Sequence, residues 1–133
     1  MAIIGFNFTK MIAEKKMPSK GKVDIKNDIS IKNVESTELT LGETKNKALK
    51  FTFEFTSQYT PEIGNIAFNG EVLYMNETAK QDEILKSWKK NKEVPKPYVG
   101  EILNAVLLRS NVQALVLSRE VNIPPPIPMP RVA

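Results

Sequence analysis

The stretch KPYVGEILNAVLLRSNVQALVLSREV, from Lys96 to Val121, constrains this chain more than any other. Pro95 and Pro97 stand where a helix start tolerates proline. The prolines of IPPPIPMP forbid continuation past Asn122. The spacing therefore predicts a helix over 97–121. At 100° per residue, Val99, Ile102, Leu103, Val106, Leu107, Ala114 and Leu117 fall on one broad face, read as core. Leu108, Val112 and Leu115, spaced i, i+4, i+7, make a second stripe nearly opposite. A helix of about 24 residues is ~36 Å long, and one covered face cannot hide both stripes. Either the tail folds over the second stripe or another copy of the chain covers it. The expectation is a subunit interface at Leu108, Val112 and Leu115, giving a dimer or tetramer.

The 133 residues fit a single domain, 1–133, with one core. No apolar run reaches 18 residues, so no membrane insertion is predicted. No basic region followed by an apolar segment opens the chain, so no secretory signal is read there. The absence of cysteine removes disulfides and thiol chemistry and fits a cytoplasmic protein. The absence of histidine removes the commonest metal ligand and the usual general base at neutral pH. No catalytic residue, metal site or cofactor is predicted, and the chain is read as non-enzymatic. The net charge is +4, and sixteen of the nineteen basic residues are lysine.

The rest of the chain reads as strands and one short helix. Residues 3–17 alternate Ile4, Phe6, Phe8 and Ile12 with polar positions and Met11, a strand with one buried face. Pro18 to Gly21 is a turn. Over 22–36, Val23, Ile25, Ile29 and Ile31 keep one parity, as a single strand or one with a bulge. Leu41 to Lys47 reads as a polar loop. Leu49, Phe51, Phe53 and Phe55 then mark the clearest strand, over 48–59. A fourth runs over 65–75, where Gly70 on the inward face suggests a bulge or a close backbone approach. Asn76 or Thr78 is expected to cap a helix over 78–91, with Asp82 and Glu83 early and Lys89 and Lys90 late. The predicted class is α+β: a four-stranded antiparallel β-meander over 3–75 with one short and one long helix on one face, then a proline-rich tail over 122–133.

Candidate sites are few. Phe51, Phe53 and Phe55 could line a peptide groove, but core beneath the long helix is the preferred reading. Asp24, Asp28 and Glu35 lack the loop spacing of a calcium site and read as a solvated strand face. Lys86, Lys89, Lys90 and Lys92, with Trp88 among them, are the candidate nucleic-acid contact, because aromatic rings interleaved with lysines can stack bases. With three arginines in the chain and no groove-reading motif, a solvated helix face with Trp88 turned inward is preferred. The tail should be extended and polyproline-like, laying Ile123, Ile127 and Met129 across its own sheet.

In element order, and in the helix end VLSREVNIPPPIPMP from Val116 to Pro130, the chain resembles the SecB export-chaperone family and its SecB-like relatives in archaea and toxin–antitoxin systems. There a Ser-Arg closes the helix, and alternating apolar residues and prolines follow. The resemblance implies an oligomer that binds unfolded polypeptide clients, extending its sheet between subunits by pairing of the 3–17 strands. The family's second, C-terminal helix, which flanks the client groove, has no counterpart before Ala133. The family's acidic strand surface for the SecA motor is not matched either: Lys50, Thr52, Glu54 and Thr56 are mixed in charge. SecA is therefore not carried over as a partner. The functional expectation is a protein that holds unfolded or extended polypeptide through apolar surface. The alternatives are a nucleic-acid-associated basic protein and a purely structural assembly protein.

Overall fold

A computed structural model describes residues 2–17 and 23–126, without the side chains of Ala2 and Leu41. Its elements, in order, are β1 (Ala2–Lys15), β2 (Asp24–Leu41), β3 (Thr44–Thr60), β4 (Gly64–Met75), α1 (Thr78–Asn91) and α2 (Lys96–Glu120). Four antiparallel strands in one open sheet with two helices make the fold α+β.

The strand order is β1-β4-β3-β2. Only β2, β3 and β4 form a meander. The expected four-strand meander is corrected: β1 pairs with β4, and the chain crosses to the opposite edge before β2. Such an arrangement is a Greek key read from the other end. Period-two alternation assigns faces, not partners, so it is blind to this crossing. Aromatic packing explains the choice. Phe8 on β1 and Phe53 on β3 are both in register with Gly70 of β4, one on either side. The Phe53 ring leans across the glycine to within 5.2 Å of Phe6 and 6.0 Å of Phe8, centroid to centroid. A Cβ on Gly70 would lie 2.5 Å from Phe53 Cζ and 2.6 Å from the Asn7 carbonyl oxygen, so the close approach expected there is present.

Two irregularities, between Ile3 and Gly5 and between Phe8 and Lys10, break the alternation of β1. Each bulge adds one residue and shifts those beyond it to the other face. Phe6 and Phe8 pack on the core, but Met11 and Ala13, not Ile12, stand opposite Phe68 and Ile66. Ile4 and Ile12 are left exposed. The polar loop expected at 41–47 is instead the tip of a tight hairpin: β2 and β3 pair out to Leu41 and Thr44, with Gly42 at φ +65°. A left-handed backbone at a two-residue turn suits glycine.

Helix α1 does not start on the expected caps. Glu77 is the N-cap and makes no side-chain cap bond, and its first turn holds no acidic residue. Its start is held by Gln81, whose buried Nε2 donates to the carbonyls of Asn76 (2.8 Å) and Lys47 (3.1 Å). Helix α2 ends where Asn122 turns left-handed at φ +58° and the Ile123 N–H closes on the Ser118 carbonyl at 3.0 Å. This is a Schellman closure with asparagine in the usual glycine position.

Burial along α2 repeats every four residues. Tyr98, Ile102, Val106, Ser110, Ala114 and Ser118 are buried, and Gly100, Asn104, Leu108, Val112, Val116 and Glu120 are all exposed. Such a row is inclined about 26° to the helix axis, which lets it follow a twisted sheet. The row divides the core. Large Tyr98, Ile102 and Val106 meet Phe51, Phe53, Val72, Tyr74, Ile84 and Trp88, whereas Ala114 meets Phe55, Tyr59, Ile66 and Phe68.

Candidate functional site

Helix α2 packs against β4 and β1, and α1 against β2 and β3. A helix ~10 Å wide covers about two strands spaced ≈4.8 Å apart. Among the described residues, the inward face of β2, an edge strand of the sheet, is therefore incompletely roofed. Its Ile29 and Ile31 are half-buried, although their register partners Phe55 and Phe53 are fully buried.

That gap is an apolar groove. Ile29 and Ile31 form its floor, and Val99 and Leu103, on the flank of α2, form one wall. Trp88 and Val94, from the end of α1 and the linker, close it above a cavity of about 280 Å³. Lys92 and Glu93 stand at the rim. Lys92 is the C-cap of α1 and lies in the left-handed region (φ +57°, ψ +36°), its N–H bonded to the Trp88 carbonyl at 2.9 Å. For a non-glycine residue this conformation costs about 1–2 kcal/mol. It brings Nζ to 5.6 Å from the centre of the Trp88 ring.

The C-terminal segment bounds this surface farther along β2. Tyr59 donates to the Pro124 carbonyl at 2.6 Å, Ser57 donates to Asn27 Oδ1 at 2.6 Å, and Asn27 Nδ2 donates to the Pro126 carbonyl at 2.9 Å. Proline has no N–H, so Pro124 and Pro126 are anchored by side-chain donors to their carbonyls. Burial pushes the Tyr59 hydroxyl up to about 12. A second cavity, of about 480 Å³, lies between the end of α2 (Leu115, Val116, Arg119) and Ile123 and Pro125 of the tail.

The predicted sites distribute unevenly over this frame. Phe51, Phe53 and Phe55 are at most 1% exposed and cannot touch a ligand without unfolding. Phe55 does meet the tail, sharing a core cluster with Ile123. Ile127 and Met129 lie outside the described residues. Of the second stripe, Leu108 and Val112 point outward, 68% and 56% exposed. Leu115 sits instead on the flank beside the second cavity, and Val116 continues the outward row. The four-residue repeat, not 3.6, decides this. Lys86, Lys89 and Lys90 are exposed on α1, but Trp88 is 7% exposed within the core cluster, so no open ring stands among them for a base to stack on.

The outer face of the sheet is ionic. Lys50 bonds Glu35 at 2.7 Å and lies 3.9 Å from Glu71, and Lys32 lies 3.9 Å from Glu54. The bond to Glu35 holds the Lys50 ammonium above its usual range. Among the described residues no three acidic side chains are grouped to hold a metal ion, and no helix is long and apolar enough to cross a membrane. The groove itself was not predicted. Its signal in the sequence was the mismatch between four strands and two unequal helices, which leaves one edge strand without a roof.

No protein-family model matches the sequence, and no curated protein does. Among solved structures, the chain is similar to the Mycobacterium tuberculosis SecB-like chaperone Rv1957, solved in complex with a ChAD peptide from the Rv1956 HigA1 antitoxin. The TM-score is 0.58 at 10% identity, covering 99% of this chain and 90% of that one. The likeness is one of fold.

Proposed function

We propose that this protein is a cytoplasmic, non-enzymatic chaperone-like module that holds unfolded or extended polypeptide. The observation that carries the reading is the groove over β2. Its floor and walls are mostly apolar, it lies against Ile29 to Ile31 of the edge strand β2, and it is open to solvent where a domain of this size would ordinarily bury such side chains. An extended chain is the ligand that suits it: alternate side chains can enter the groove while the free edge of β2 offers backbone hydrogen bonds. The fold is shared with a SecB-like chaperone that was solved with a bound peptide, which supports a polypeptide ligand.

The test is aggregation of a chemically denatured client diluted into buffer, followed by light scattering. Retardation at near-equimolar protein is expected, and it should weaken when Ile31→Asp places a charge on the groove floor. No retardation at several-fold excess of the unaltered protein overturns the reading.

A further inference from the structure

The groove is apolar, but its surroundings are not electrically neutral. Between Thr78 and Lys96, α1 and the linker carry six lysines against three carboxylates. Asp82 and Glu83 precede Lys86 by four and three residues on α1, the spacing of neighbouring turns, so the charge there is locally balanced. Lys92 differs. The left-handed C-cap turns it out of the helical repeat, and its side chain lies over Trp88 at the mouth of the cavity. Lys89 is exposed one residue beyond Trp88, and Lys96 is exposed at the start of α2. Among the described residues Glu93 is the one carboxylate lining the cavity, and its backbone carbonyl is engaged by Ser87 at 2.9 Å.

A cation held against an aromatic face at an apolar rim is less well solvated than one on an open helix. A backbone held in a costly conformation where it aims a side chain at a cavity points to a use for that side chain. The chemistry favoured there is an apolar or aromatic side chain filling the cavity, with a carboxylate within a residue or two to meet the Lys92 ammonium. We propose, resting on the polypeptide-holding reading above, that the groove selects extended segments in which apolar residues are interleaved with acidic ones, and that Lys92 is the residue that makes this choice.

Trp88 is the chain's single tryptophan and reports directly on the groove. Three synthetic twelve-residue peptides with one shared apolar core, flanked by Glu, by Asn or by Lys, are titrated into the full protein while Trp88 emission is followed. The Glu-flanked peptide is expected to bind about fivefold tighter than the Asn-flanked one, the equivalent of roughly 1 kcal/mol for a surface charge pair. The Lys-flanked peptide should bind weaker, and the differences should shrink as salt is raised. Lys92→Glu is expected to reverse the order of the Glu- and Lys-flanked peptides. Lys86→Glu, on the exposed side of α1, should leave the order unchanged.

Equal binding of all three peptides overturns the charge selection while the polypeptide-holding reading stands. Selection that persists in Lys92→Glu overturns the assignment to Lys92. No binding of even the Asn-flanked peptide removes the groove as a polypeptide site, and this proposal falls with it.

Discussion

Tyr59, near the end of β3, donates its hydroxyl hydrogen to the carbonyl of Pro124, 2.6 Å away and 65 residues later in the chain. Tyr59 is 1% exposed and Ile123 is 6% exposed in the same cluster, so the chain just after α2 is part of the core. Asn27, itself engaged by Ser57, repeats the arrangement two residues on, at Pro126. The proline run thus has two side-chain donors spaced to match its carbonyls.

The burial of that hydroxyl makes stability sensitive to alkali. The Tyr59 hydroxyl titrates at about 12 in the folded chain, against about 10 when unfolded. The folded state prefers the protonated form. Its contribution is therefore complete below pH ~10 and is lost as pH rises through about 12. Urea midpoints measured from pH 9 to 12 should fall more steeply for the unaltered protein than for Tyr59→Phe, the difference isolating this group from the lysines. At neutral pH, Tyr59→Phe should cost about 1 kcal/mol, one buried hydrogen bond. Parallel pH curves for the two proteins would refute the assignment.

Gly70→Ala should be strongly destabilising. Of the three atoms that a Cβ would strike, one is the Asn7 backbone oxygen in the adjacent strand, which cannot rotate away. Overpacking of this kind costs about 1–3 kcal/mol, and more where the neighbour is fixed. Thermal unfolding followed by circular dichroism measures it. A variant within half a kcal/mol of the unaltered protein would show that β1 can move away from β4 without loss.

Much of this architecture was legible in the sequence because it rests on local periodicity. Phe51, Phe53 and Phe55 alternate cleanly and are buried, and α2 falls where its flanking prolines and apolar spacing put it. What was not legible depends on neighbours. The bulges in β1 answer to the spacing of Phe68 and Ile66 on a strand some sixty residues later. The four-residue burial repeat of α2 answers to sheet twist, which moved Leu115 to the flank and put Ser110 and Ser118 inside. The groove is formed by what the helices fail to cover, and no single segment encodes an absence of cover.

Ser110 offers a test of that buried row. It is fully buried, and its hydroxyl finds no hydrogen-bond partner among the described residues. A buried unsatisfied hydroxyl costs roughly 1–3 kcal/mol, and alanine is also the better helix former. Ser110→Ala is therefore expected to raise the unfolding free energy, by about 1 kcal/mol, without altering the fold. A loss of stability in chemical denaturation would mean that the hydroxyl is hydrogen-bonded in solution.

The last prediction concerns the outward row of α2. Leu108, Val112 and Val116 are 68%, 56% and 40% exposed and spaced four apart, so they form one apolar strip. Residues 123–126 do not cover it, because they run to Tyr59 and Asn27 over β3 and β2. Beside α2 lies the β1 edge of the sheet, where Ile4 and Met11 are 44% and 42% exposed. Burying what remains open of each of these side chains contributes roughly 1 kcal/mol, and a twofold pairing counts each one twice. The sum reaches the range of an association cost of about 4–15 kcal/mol, so the helix strip and the β1 edge together can sustain a dimer where the strip alone gives a weak one. We propose self-association through this side of the molecule. Light scattering coupled to size exclusion should return more than one chain's mass at micromolar concentration. Val112→Glu should lower that mass while circular dichroism stays unchanged, because position 112 makes no core contact. A monomer for the unaltered protein would end the proposal, and an unchanged mass for Val112→Glu would move the interface off α2.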